Sequence, residues 1–118
     1  MKVLIADDNP KIRRLIKSII KTQIADVDII IECENGAEAI ELYDQTEPDW
    51  VLMDIAMEPL NGFATSHSIF ENHPDAKIVF VSQYDESEYR EEAKKLGARA
   101  YVLKDNLLDL PGLIRNLL

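Results

Sequence analysis

Short apolar runs alternate along the chain with longer stretches in which apolar residues recur every three to four positions. The runs lie at residues 3–6, 27–31 (interrupted by Asp28), 50–53, 78–81 and 100–103. Each is too short for a helix, and together they predict five strands. After the first run, Asn9-Pro10 supplies an N-cap and a first-turn proline, and Ile12, Leu15, Ile16, Ile19 and Ile20 follow on one helical face. Asn35-Gly36 opens a second helix that carries Ala37, Ala39, Ile40 and Tyr43, with Pro48 beyond its end. Residues 57–62 form a loop, marked by Pro59 and Asn61-Gly62. A weaker helix over 63–72 rests on Phe63, Ile69 and Phe70 and is stopped by His73-Pro74. Tyr89, Ala93 and Leu96 mark a fourth helix with Gly97 as its terminator. Leu110, Leu113, Ile114, Leu117 and Leu118 form the last stripe, with Asp109 as its expected N-cap and Pro111 in its first turn.

Five β and five α elements in strict alternation predict an α/β fold. Strands that are apolar throughout predict a parallel sheet covered on both faces. Right-handed crossovers then bring every strand's carboxyl end to one edge, where open α/β sheets bind their ligands. The residues just past each run are therefore the informative ones: Asp7 and Asp8, Asp54, Ser82 and Lys104.

The 118 residues suit one domain, residues 1–118. Asp and Glu number 22 against 13 Lys and Arg, a net charge of −9. That charge repels phosphate backbones and anionic lipid, so direct nucleic-acid binding and membrane association by these residues are not expected. Cys33 is the only cysteine and has no partner for an internal disulfide. The longest apolar runs are four residues, far short of a membrane span, and Asp7-Asp8 interrupts the first too early for a signal-peptide core. A cytoplasmic location is the expectation.

Each edge residue alone has an ordinary explanation. Asp7 and Asp8 could help Asn9 cap the first helix, Asp54 could accept loop N–H groups, Ser82 could be a turn hydroxyl, and Lys104 could neutralise an acid. Jointly they point elsewhere. Three crowded carboxylates repel one another and call for a cation. A hard divalent ion such as Mg²⁺ takes oxygen ligands of this kind, while Lys104 offers a point charge for a phosphoryl oxygen.

Asp7-Asp8, Asp54-Ile55-Ala56-Met57, Asn61-Gly62, Ser82 and Tyr101-Val102-Leu103-Lys104, together with residues 34–39 and Gly97-Ala98, resemble the receiver domain of two-component response regulators across the whole chain. The resemblance implies a flavodoxin-like, doubly wound five-stranded sheet in the order 2-1-3-4-5. It implies that Asp54 is the phospho-acceptor, taking a phosphoryl group from a sensor histidine kinase. It implies Mg²⁺ held by Asp8, Asp54 and the backbone carbonyl of Ala56, with Asp7 acting through water. Lys104 would pair with phosphoryl oxygens, and Ser82 and Tyr101 would be the switch residues that report the phosphate. Ala56 and Tyr84 would flank the path of the hydrolytic water, and slow dephosphorylation follows from their side chains.

The chain departs from the family's habits in two places. Glu58 stands where a proline commonly follows the loop methionine, with Pro59 one later. Asp105 stands where a proline commonly follows the lysine. The Leu-Lys-Asp ending is similar to receivers of the NarL group, which carry a LuxR-type helix-turn-helix. The resemblance thus implies transcription regulation through a DNA-binding domain outside these residues, with homodimerisation on phosphorylation. The short last stripe, still running at Leu117-Leu118, carries the same expectation of a longer chain and of partly exposed leucines.

The alternatives are a stand-alone receiver acting by docking, a receiver-like module without phosphoryl chemistry, and a Mg²⁺-dependent phosphohydrolase of the haloacid-dehalogenase type. The last uses Asp-x-Asp after its first strand, whereas this chain has Asp7-Asp8-Asn9. No enzyme activity beyond self-phosphorylation and self-dephosphorylation is expected. No Gly-rich loop follows the first strand, which disfavours nucleotide binding. His67 and His73 lack metal-ligand spacing, Cys33 is expected to be packed, and Trp50, Met53 and Phe80 are expected in the core.

Overall fold

The computed structural model describes residues 1–117. Five strands, β1 (Lys2–Ala6), β2 (Ile29–Cys33), β3 (Trp50–Met53), β4 (Ile78–Ser82) and β5 (Ala100–Leu103), alternate with helices α1 (Pro10–Gln23), α2 (Gly36–Thr46), α3 (Gly62–Asn72), α4 (Ser87–Leu96) and α5 (Leu110–Asn116). The strands form one parallel sheet in the order β2-β1-β3-β4-β5.

Successive side chains of a strand point to opposite faces, and the core divides accordingly. Val3 and Ile5 of β1, Trp50 and Leu52 of β3, and Val79 and Val81 of β4 pack with Ile16 and Ile20 of α1 and Leu110 and Ile114 of α5. Leu4 and Ala6, Val51 and Met53, and Ile78 and Phe80 face the other way, toward Ala39 and Tyr43 of α2, Ile69 of α3 and Ala93 of α4. Trp50, Met53 and Phe80 are fully buried, as the sequence predicts. Among the described residues no helix is long and apolar enough to cross a membrane.

Three local expectations are corrected. The second strand is Ile29–Cys33 rather than 27–31, because its ladder to β1 starts at Lys2 opposite Ile29 and ends at Ala6 opposite Cys33. This strand is also a sheet edge, with Ile29 exposed, so its apolar run is not covered on both faces. Asp109 does not cap α5. Its backbone is already helical and its side chain makes no capping bond, because a 3-10 turn over Lys104–Asp109 runs directly into the helix.

In the last stripe Leu110 and Ile114 are buried while Leu113 and Leu117 are half-buried. Leu118 lies outside the described residues. Among the described residues the most exposed large apolar side chain is Leu108 of the 3-10 turn, at 80%, which the periodic stripe does not include.

The other boundaries follow from their caps. Asn9, Asn35 and Asn61 each accept a first-turn N–H with the side chain, and Gly97 ends α4 at φ +99°. The Glu58-Pro59 peptide is cis, and Lys104-Asp105 is not among the cis bonds.

Candidate functional site

Asp7 and Asp54 extend two adjacent central strands by one residue. The Asp7 N–H donates to the Cys33 carbonyl at 3.1 Å, and the Asp54 N–H to the Ala6 carbonyl at 2.9 Å. Backbone pairing thus delivers both carboxylates to the same edge, buried, with Asp54 only 3% exposed. Asp8, one residue further on, is exposed. One carboxylate oxygen from each of the three lies within 4.8 Å of the others.

Lys104, just past β5, reaches across to this group. Its Nζ is 2.9 Å from Asp7 Oδ2 and 3.2 Å from Asp54 Oδ1. One ammonium thus pairs with two of the three carboxylates. Asp7 Oδ1 accepts the Asn9 N–H at 2.9 Å, and Asn9 Oδ1 accepts that of Lys11. The capping explanation of Asp7 is therefore correct for one of its oxygens. Oδ2 is buried with no aligned hydrogen bond, and among the described residues Lys104 is its charge partner.

The electrostatics follow from this crowding. Burial, and then the Asp7 charge, push the Asp54 carboxyl above the usual range against the pull of Lys104. Burial alone would lower Lys104, but its contacts with Asp7 and Asp54 outweigh that and hold the ammonium above its usual value.

Three oxygen-donor carboxylates, one with a buried oxygen that meets the Lys104 ammonium without an aligned hydrogen bond, are the donor set that a hard divalent cation takes. The Ala56 carbonyl, in the exposed loop after Asp54, accepts no hydrogen bond among the described residues. The N–H groups of Met57 and Gly62 both turn back to the Ile55 carbonyl at 2.9 Å. The donor set therefore fits the expected Mg²⁺ at Asp8, Asp54 and Ala56, with Asp7 beside them.

Ser82 closes β4 and is fully buried. Its Oγ accepts the Tyr84 N–H at 3.0 Å. The Tyr101 hydroxyl donates to the Tyr84 carbonyl at 2.6 Å, and the Arg90 guanidinium sits 4.9 Å from the centre of its ring. Burial raises the Tyr101 phenol, with the Ser82 hydroxyl and the Arg90 charge opposing. Tyr84 stacks on Tyr89, their ring centres 4.7 Å apart. Ser82 and Tyr101 thus grip the same residue of the β4–α4 loop from two sides.

Cys33 is buried beneath the cluster, and burial followed by the Glu38 charge pushes its thiol up to about 12. His67 is exposed beside Glu71, and His73 bonds Asp44.

Two neighbours of the site have roles that their residue types do not announce. Gly62 carries no side chain to signal a role, yet a Cβ there would lie 2.0 Å from the Asp54 carbonyl oxygen. Arg13 donates from Nη1 to the Asp7 carbonyl at 2.6 Å. Its place at the end of the first turn of α1, five residues after Asp8, was the available signal.

The family model for the response regulator receiver domain matches residues 3–114. The chain belongs to the receiver domain family of two-component response regulators. It is 35% identical to the chemotaxis protein CheY of Listeria monocytogenes over 88% of this chain and 86% of that protein. It is 34% identical to the transcriptional regulatory protein YhcZ of Bacillus subtilis over 89% of this chain and 49% of that protein. This receiver thus spans most of one relative and about half of the other. Among solved structures, a DNA-binding response regulator of the LuxR family from Staphylococcus aureus superposes with a TM-score of 0.89 at 27% identity, covering 98% of this chain and 97% of that one. The expected fold and strand order are those of the family, and LuxR-type regulators are among the receiver's relatives.

Proposed function

We propose that this receiver takes a phosphoryl group onto Asp54 from the phosphohistidine of a sensor kinase, and that Mg²⁺ is its cofactor. The observation that carries the reading is the cluster itself: a buried Asp54 beside Asp7 and Asp8, with the Lys104 ammonium on two of the three.

An Asp54 carboxylate oxygen would form a bond to phosphorus as the phosphorus–nitrogen bond breaks. The imidazole nitrogen leaves with that electron pair and is neutral once protonated. A carboxylate that is ionised needs no general base. Repulsion between anions is the obstacle, and Lys104 is placed to lower it by meeting the phosphoryl oxygens. Bound at Asp8, Asp54 and the Ala56 carbonyl, with Asp7 acting through water, Mg²⁺ would supply further charge neutralisation and orientation. Ser82 would turn its hydroxyl from the Tyr84 N–H toward the phosphoryl group. That change would loosen the loop that Tyr101 also holds, and so alter the α4–β5 surface.

The same reading covers output and setting. With 22 acidic residues against 13 basic ones, the described surface is poorly suited to DNA. Transcription regulation would act through a DNA-binding domain outside residues 1–118, with phosphorylation promoting a homodimer. The work would be cytoplasmic, and the chemistry that of a switch rather than of a turnover enzyme. A receiver that signals by docking is the second reading, supported by the 35% identity to the chemotaxis protein CheY.

Intact mass after incubation with a small phosphodonor and Mg²⁺ tests the proposal. The parent should gain one phosphoryl group and Asp54→Asn none. Equal gain by the variant, or steady hydrolysis of a phosphomonoester by the parent, would overturn it.

A further inference from the structure

Arg13 stands beside the acid cluster without belonging to it. It lies in the first turn of α1 and donates from Nη1 to the backbone carbonyl of Asp7 at 2.6 Å. Its Nε is 3.4 Å from Glu32 Oε1, on the edge strand β2, an ion pair without an aligned hydrogen bond, and its side chain is only 17% exposed. Glu32 is held in turn by Lys17, whose Nζ lies 3.4 Å from the other carboxylate oxygen.

We propose that Arg13 is a positioning residue that sets the direction of the Asp7 and Asp8 carboxylates for a divalent cation, with Glu32 holding its guanidinium in place. The proposal rests on the reading of the acid cluster as a Mg²⁺ site.

The carbonyl of Asp7 and the N–H of Asp8 belong to one rigid unit. Asp7 is already fixed at its N–H by the Cys33 carbonyl and at Oδ1 by the Asn9 N–H. Its carbonyl is held by Arg13 alone among the described residues. Fixing that carbonyl fixes the Asp7-Asp8 plane, and with it the position of the Asp8 Cα and the N–Cα axis about which its side chain turns. Asp8 needs this help, because it is exposed and its carboxylate makes no hydrogen bond among the described residues. Arginine suits the task because its planar fork can address a carbonyl from one nitrogen and a carboxylate from another.

Positioning and charge make opposite predictions. A guanidinium near a cation site repels the cation, so its charge alone weakens binding. A residue that orients metal ligands strengthens binding, and losing such a partner costs about tenfold or more in affinity.

The test is calorimetric Mg²⁺ titration of the full chain, at a temperature where circular dichroism shows every variant folded. Arg13→Met should bind Mg²⁺ about tenfold more weakly than the parent. Arg13→Gln, neutral but still a donor to the Asp7 carbonyl, should recover part of the loss. Arg13→Lys keeps the charge without the fork and should also fall below the parent.

If Arg13 acts only by charge, the Met and Gln variants bind more tightly and the Lys variant matches the parent. That result overturns the proposal, as does unchanged affinity in all three. A purely structural role would lower the melting temperature in EDTA without moving the affinity of the folded protein, and it too counts against the proposal. Should Arg13→Met fail to fold, the Gln and Lys variants decide, since positioning places both below the parent. A parent that binds no Mg²⁺ sinks the underlying reading and the inference with it. A parent that binds beside indifferent variants sinks the inference alone.

Discussion

Gly62 at the start of α3 lies directly against the backbone of Asp54: a methyl group on Gly62 would come within 2.0 Å of the Asp54 carbonyl oxygen. That oxygen is backbone and cannot swing aside. Gly62→Ala should therefore push the end of β3 or the start of α3 outward and cost about 1–3 kcal/mol. Urea denaturation reads the loss, and the initial rate of phosphodonor-dependent mass gain should fall with it. Parent-like stability and rate would show that the two elements separate freely.

Asp54→Asn should stabilise the metal-free protein at neutral pH. Burial and the Asp7 charge raise the Asp54 carboxyl above its usual 3.8, so the folded state holds this proton more tightly than the unfolded one. Ionising Asp54 therefore costs stability as pH rises through the window above 3.8, and falling pH restores it. The advantage of the Asn variant should be largest near neutrality and shrink as pH falls toward 3.8. Thermal melts in EDTA across that range check the sign, and an advantage that grows on acidification would contradict it.

Asp8→Ala removes an exposed carboxylate from a crowded cluster. Stability without metal should hold or rise, while Mg²⁺ affinity drops by about tenfold or more. Titration calorimetry separates the two effects, and unchanged affinity would exclude Asp8 as a ligand.

The phosphorylated form should be long-lived. Ala56, two residues past Asp54, has no side chain able to orient water. Tyr84, two past Ser82, is half-buried and stacked on Tyr89. Mass spectrometry after removal of the donor, with Mg²⁺ present, gives the lifetime, and decay within seconds would refute this prediction.

The site was legible because strand ends are legible. Asp7, Asp54, Ser82 and Lys104 each follow an apolar run of period two or continuous character, and a parallel sheet has one carboxyl edge to which all must go. The buried faces of β1, β3 and β4 were readable for the same reason. Pairing was not readable. The register of β2 depends on hydrogen bonds to β1 rather than on which residues are apolar, so Val27 belongs to the pattern but not to the ladder. Asp109 has the composition of a cap, but the preceding 3-10 turn had already made its backbone helical. Gly62 acts by lacking atoms, and Arg13 acts on a carbonyl, a group every residue shares. Neither leaves a signature in residue type alone.

The ion pairs of Lys104 join the beginning, the middle and the end of the chain: Asp7 from β1, Asp54 from β3, and a lysine that follows β5. A chain still being made has both carboxylates long before it has the ammonium. Until β5 takes its place at the far edge of the sheet, Asp7 and Asp54 face each other without this counter-charge. If Asp54 is the phospho-acceptor proposed above, acceptance of a phosphoryl group is coupled to completion of the fold. Partly synthesised or partly unfolded copies would stay silent in a phosphorelay, and responsiveness to a phosphodonor becomes a measure of how many molecules have finished folding.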